Sequence, residues 1–354
     1  MLAPDVPADV TSRPPLSILD LAIVNRSATS RDALRASTDL ARHADRLGYR
    51  RFWVAEHHNM ASVASTSPPV LMAHLAASTE RIHIGSGGIM LPNHPPLVVA
   101  EHIAALEALH PGRIDLGIGR APGTDPRTAA ALRRSAAGLS VEDFPRDLLD
   151  VMGLLGDPRT EGAALWERFR ATPAASSSPE IWLLGSSGYS AQLAGILGLP
   201  FAFAHHFDTG GTLEAAELYG RSFRPSPVLE EPHLLVTANV LVAPTTEEAN
   251  HEAGPGRLMV RGIRSGRFEP LITPAEAAAH RDLDPTPSPR SGRLVGTAEA
   301  VVAGLDALVV RSGAHEIMVS TVAHDLDVRQ RSLQLLLQAW TGGSPEQVPS
   351  ATAR

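Results

Sequence analysis

Cysteine is absent from this chain of 354 residues, and so is lysine. The first absence excludes disulfides, thiolate nucleophiles, thiolate zinc sites and cysteine-ligated iron–sulfur clusters. The second excludes a lysine Schiff base. All 31 basic side chains other than histidine are arginines, which with the abundant alanine reads as genomic bias. Aromatic residues make up only 4% of the chain, so few rings can stack on a ligand, Trp53, Tyr189 and Phe207 among them. No run of roughly 18 apolar residues exists to cross a bilayer. Residues 1–15 are polar and proline-rich, without the apolar centre of a secretory signal, so a cytoplasmic location is expected. A net charge of −7 with scattered arginines gives no electrostatic footprint for nucleic acid or an anionic membrane.

What is present suits a large core: 44% apolar residues and a mean hydropathy of −0.02. Strand-like and helix-like segments alternate. Strands are expected over residues 16–24, 50–55, 82–84, 113–118, 181–184, 201–205, 234–242 and 316–320, with helical patterns between them. Eight strands alternating with helices predict a closed (β/α)8 barrel, a fold of about 250 residues or more. The barrel should span 16–342 as one domain, with tails at 1–15 and 343–354. Extra chain is expected after the fourth and seventh strands. Residues 266–293, rich in Arg, Asp, Pro and Ser, are the candidate mobile loop over the site.

Four consecutive strand ends carry polar or glycine chemistry, where a barrel enzyme builds its site. The second ends in Glu56-His57-His58. Adjacent residues of an extended segment point to opposite sides, so one histidine should face the barrel mouth and the other pack or hydrogen-bond outward. That spacing does not favour a shared metal, and no metal site is expected. A mouth-facing imidazole suits proton transfer near neutral pH. The third strand ends in Gly85-Ser86-Gly87-Gly88, which either lets a flat ring approach the backbone or forms a tight turn. The fourth ends in Gly117-Ile118-Gly119-Arg120. The fifth ends in Gly185-Ser186-Ser187-Gly188 at a helix start, so free N–H groups and hydroxyls there form an anion cradle with Arg120. Taken singly, Ser186 is equally a helix cap and Arg120 a surface cation. After the sixth strand, one of His205 and His206 either lines the pocket or is a satisfied core histidine. Met60, Met90 and His206 are the candidate substrate-pocket residues.

These stretches resemble the bacterial luciferase-like flavin monooxygenase family. The carriers are Phe52-Trp53-Val54-Ala55-Glu56-His57-His58, the run from Ile84 to Pro95, the run from Pro111 to Arg120, and Leu183 to Pro200. The resemblance covers roughly 20–340. It implies a (β/α)8 barrel that takes reduced FMN from a separate flavin reductase and uses dioxygen to oxidise a small organic substrate. It assigns proton handling to His57 and the FMN phosphate to Arg120. It completes the phosphate clamp with Gly185, Ser186, Ser187, Ser190 and nearby Tyr189. It lays the ring against Gly85, Ser86, Gly87, Gly88 and Gly119, with a non-prolyl cis peptide at Gly87-Gly88. It also implies a homodimer through helices near the second and third strands, where Val70, Leu71 and Leu75 suit either that face or the core. Luciferase has a glutamate where Ser186 stands and a reactive cysteine where Gly119 stands. Light emission is therefore not expected, the phosphate site should be less acidic, and the pocket near Gly119 roomier. Two alternatives remain: a deazaflavin-dependent hydride-transfer enzyme, against which Glu56-His57-His58 argues, and a non-catalytic flavin carrier.

Overall fold

The computed structural model describes residues 13–121, 123–133, 143–160, 169–207, 210–280 and 293–342. Strand β1 (Leu16–Asp20) is buried at every position, the signature of a strand covered on both faces. The same holds for β2 (Arg51–Val54), β5 (Ile114–Gly119), β7 (Phe201–Phe203) and β10 (Glu316–Ser320). With β3 (His83–Ser86), β6 (Glu180–Gly185) and β8 (Leu234–Val242) they form eight parallel staves in the order β1-β2-β3-β5-β6-β7-β8-β10. The ring closes where β10 pairs with both β8 and β1. The fold is the expected (β/α)8 barrel. Two short strands lie outside the expectation: β4 (Ile89–Met90) pairs with the end of β5, and β9 (Arg293–Gly296) with the end of β8.

Alternation along the staves sorts the core into two layers. Ile18, Phe52, Val54, Ile84, Leu183 and Val319 face outward into the helix layer. Leu19, Trp53, Trp182, Ala202, Leu235 and Met318 face inward and fill the barrel. Trp53 and Trp182 meet edge to face, ring centroids 5.4 Å apart. Trp53 is thus a core residue, and its indole N–H donates to Asp115 at 2.8 Å.

Several boundaries differ from the sequence reading, each for a local reason. The first strand stops at Asp20 because Ala22 takes a left-handed φ of 49° and turns the chain. The sixth strand stops at Phe203, and His205–Phe207 form a 3-10 turn instead. Leu71 and Leu75 are buried core residues, whereas Val70 is 71% exposed. Within the expected 266–293 loop, Leu271 bridges to Asn25, and Pro274–Ala278 form a helix with a Thr273/Glu276 capping box. Residue 293 opens β9. Residues 281–292 lie outside the described residues, as do the tails 1–12 and 343–354. The fourth stave is followed by helices Pro126–Arg133 and Phe144–Leu154. The seventh is followed by helices Thr246–Glu252, Gly254–Arg264 and Pro274–Ala278. Among the described residues no helix is long and apolar enough to cross a membrane.

Candidate active site

Beyond the end of β2 the chain runs through Glu56, His57 and His58 and is pinned where His57 N–H donates to the Ser65 carbonyl at 3.0 Å. The His57 ring has its Nδ1 3.2 Å from the Gly123 carbonyl. A carbonyl only accepts, so Nδ1 carries the proton and Nε2 keeps its lone pair. Burial pushes the His57 pKa below its ordinary 6.5, which keeps the ring neutral at neutral pH. Gly123 must be glycine: its φ is 65°, and a Cβ there would lie 2.7 Å from the Glu56 carbonyl oxygen.

His58 turns the other way. Its Nε2 lies 2.9 Å from Glu56 Oε1, and His94 Nε2 reaches the same oxygen at 2.9 Å. Asn93 Nδ2 donates to Oε1 at 3.2 Å, and the Met90 N–H to Oε2 at 3.0 Å. Glu56 is fully buried. Burial alone would raise its pKa, but the bonds from His58, His94 and Met90 reverse that and bring it to about 2. Glu56 is therefore the tie between the loops after β2 and β3. Glu56, Asn93, His94 and Gly123 carry no expected role from the sequence alone. Their signal was present in the juxtaposed Asn93-His94 and in the glycines of 117–123.

The strand-3 glycines form the expected cis peptide at Gly87-Gly88. Their missing side chains leave room for neighbours: a Cβ at Gly85 would lie 2.5 Å from the Trp53 indole, at Gly87 2.7 Å from Leu19, and at Gly88 2.8 Å from the Gly117 carbonyl. The Ser86 hydroxyl is engaged between strands, donating to the Gly117 carbonyl at 2.8 Å and accepting from its N–H at 3.0 Å. Beside Gly119 the expected extra room is filled. The Met90 sulfur lies 3.0 Å from where a Cβ would stand, because β4 carries Met90 onto the end of β5. Met60 sits in the turn after β2, its carbonyl accepting from Val63 N–H at 3.2 Å.

The anion-binding candidates converge. Gly119 pairs with Leu184, so Arg120 stands beside the Gly185-Ser186-Ser187 end of β6. The Arg120 guanidinium lies over the Tyr189 ring, 4.1 Å from its centroid. Among the described residues Arg120 has no carboxylate partner. Ser187 caps the helix Gly188–Ile196 without a side-chain hydrogen bond, so its hydroxyl and the first-turn N–H groups are free for a ligand. Ser186 is exposed as well. Ser190 is buried, packed where a Cβ of Gly185 would fall, and sits beneath the rim. A phosphate-tailed flat ring fits this donor set, an unneutralised guanidinium and hydroxyls at one edge of the mouth and a neutral imidazole at another.

Within the 3-10 turn His205 and His206 diverge: His205 Nδ1 lies 2.8 Å from the Thr212 hydroxyl, while the His206 ring lies against Phe207, centroids 4.3 Å apart. Among the described residues, acidic and imidazole groups that converge as metal ligands do are His83, Asp115 and Glu180, at the opposite end of the barrel, where Arg51 contacts both carboxylates.

Proteins described as luciferase-like monooxygenases match residues 17–316 of the chain. YvbT of Bacillus subtilis (strain 168), an uncharacterised protein, is 44% identical over 337 residues, 92% of this chain and 96% of its own. A luciferase-like monooxygenase of Escherichia coli (strain K12) is 41% identical over 328 residues, 91% of this chain and 95% of its own. The crystal structure of apo-MsnO8 superposes with a TM-score of 0.84 at 37% identity, over 93% of this chain and 98% of that one. Two more distant structures share the fold. One is the oxygenating constituent of 3,6-diketocamphane monooxygenase in complex with FMN, at TM-score 0.68 and 20% identity. The other is an F420-dependent secondary alcohol dehydrogenase, at TM-score 0.61 and 14% identity. The family match over residues 17–316 and relatives above 40% identity along nearly their whole length lead to one conclusion: the chain belongs to the luciferase-like monooxygenase family, in its non-luminescent branch, and is a monooxygenase.

Proposed function

We propose that this chain is a two-component, FMN-dependent monooxygenase: a separate flavin reductase supplies reduced FMN, and dioxygen is used to oxidise a small organic substrate. The observation that carries the reading is the Arg120 guanidinium, free of any described carboxylate, beside the uncapped helix start at Ser187. That combination suits a phosphate dianion.

When bound, reduced FMN would supply the electrons that activate dioxygen. The chain's own residues do the rest. Arg120, Ser186, Ser187 and the N–H groups of the helix start hold the phosphate. Tyr189 supports the guanidinium from below its plane. His57, neutral and with Nδ1–H fixed on Gly123, accepts a proton at Nε2. Glu56 holds the loops that carry His57 and Met90 in register.

The test is oxygen uptake with FMN, a flavin reductase and its nicotinamide donor, across a panel of thioethers, ketones, aldehydes and alkenes. Uptake coupled to an oxygenated product is expected. Titration with reduced F420 in parallel decides the cofactor: tighter binding of the deazaflavin would replace this reading with hydride transfer. Flavin binding with no product from any panel member would make the chain a carrier. The homodimer implied by the resemblance would use Val70, Leu97 and Val98, which are exposed on the adjacent helices Pro68–Ser78 and Pro96–Leu109. A monomer by light scattering would remove it.

A further inference from the structure

A second imidazole follows the stave opposite the one that carries His57. In the barrel order β2 and β7 are four staves apart, on opposite walls of an eight-stave ring, and His206 follows β7 as His57 follows β2. The His206 carbonyl accepts from Asn239 Nδ2, at the top of β8, at 2.8 Å. Its ring lies against Phe207, centroids 4.3 Å apart. His206 Nδ1 is buried and, among the described residues, has no hydrogen-bond partner. Buried donors without an acceptor are rarer than buried acceptors without a donor, so the proton belongs on Nε2. The residue as a whole is only partly buried, and Nε2 is not closed off as Nδ1 is, so Nε2–H is the edge left open to a ligand. His57 has the reverse tautomer, with Nδ1–H on Gly123 and Nε2 as acceptor.

We propose that His206 is a ligand-binding residue of this site, whose Nε2–H donates a hydrogen bond to an acceptor atom of the flavin ring, opposite the acceptor Nε2 of His57. The inference rests on the flavin reading above and adds to it a fixed donor facing a fixed acceptor. Burial pushes the His206 pKa down to about 3, and the neighbouring charges of His205 and His57, the titratable groups that face it, act in the same direction. The ring therefore stays neutral, and its donor stays in place, throughout the range in which His57 works.

Two measurements test this, neither of which needs turnover. The first is nitrogen-15 histidine NMR of the full chain without ligand, assigned through His206→Gln, or through His206→Asn should the first variant not fold. The Nε2–H tautomer is expected at His206 and the Nδ1–H tautomer at His57, with no titration of His206 between about pH 5 and 8. An Nδ1–H tautomer at His206, or titration in that range, overturns the proposal. The second is FMN titration followed by flavin fluorescence. His206→Phe should bind about tenfold more weakly than wild type, and His206→Gln, which keeps a side-chain N–H, within about threefold. Equal affinity in wild type and His206→Phe overturns it. A chain that binds FMN in this pattern yet consumes no oxygen sinks the monooxygenase reading and leaves this one. A chain that turns over while its FMN affinity ignores position 206 sinks this one alone.

Discussion

The two ends of the barrel interior both hold charged and polar side chains, but they engage them differently. At the N-terminal end Arg51 is 1% exposed and ion-paired with Asp115 at 2.8 Å, Glu180 at 2.9 Å and Glu316 at 3.0 Å. Its guanidinium also covers the Trp182 ring, 4.9 Å from the centroid. Burial alone would raise Asp115 and Glu316; Arg51, with His83 and His233 respectively, holds both carboxylates below their ordinary values. Every charge there answers another charge of the chain. At the C-terminal mouth, among the described residues, the Arg120 guanidinium meets only an aromatic face and the Ser187 side chain caps no N–H. Ser187 is exposed to solvent and Arg120 partly so, and a ligand can therefore reach them without displacing a partner within the chain. One end is built to fold and the other to bind.

Breaking the paired end should give the largest effect. Arg51→Met strands two buried carboxylates and is expected to cost about 3–5 kcal/mol of unfolding free energy, read by urea denaturation. Loss of under 1 kcal/mol would mean that the cluster is not a structural lock. His57→Ala sharpens the contrast from the other side. It should keep stability and FMN affinity while turnover falls on the order of 100-fold. The acid limb of the wild-type rate profile should lie below the ordinary imidazole value of 6.5, since burial disfavours the charged ring. Turnover equal to wild type in His57→Ala would remove this residue from the chemistry.

Glu56 joins the two behaviours, because it is a paired carboxylate placed at the mouth. Its folded pKa of about 2 lies below the ordinary 4.5. The stability it contributes is therefore present above about pH 4.5 and is lost as pH falls toward 2. The loss should be on the order of 1–3 kcal/mol in acid titration of unfolding, and absent in Glu56→Gln. An unchanged acid profile in that variant would show that the hub is not ionised.

The eight staves were legible because each is a short apolar run closed by glycine or polar residues. The mouth was legible because its chemistry sits at the strand ends, as at Glu56-His57-His58 and Gly119-Arg120. What stayed hidden depends on contacts between distant segments. Arg51 meets Glu316 across 265 positions, and nothing local to either marks the pair. Glu56 gathers Asn93 and His94 from another loop. The room foreseen beside Gly119 was taken by Met90, whose approach depends on the unforeseen two-residue strand β4. Adjacent histidines could be read as a pair, but the 3-10 turn that sends His205 to Thr212 could not.

The account's central claim is that the unanswered groups at the mouth await a phosphate-tailed ring. The most direct measurement compares FMN with riboflavin, which lacks the phosphate, by titration against wild type and Arg120→Met. Wild type should bind FMN at least about tenfold more tightly than riboflavin, and most of that gap should vanish in Arg120→Met. Equal affinity of wild type for the two flavins would contradict the account.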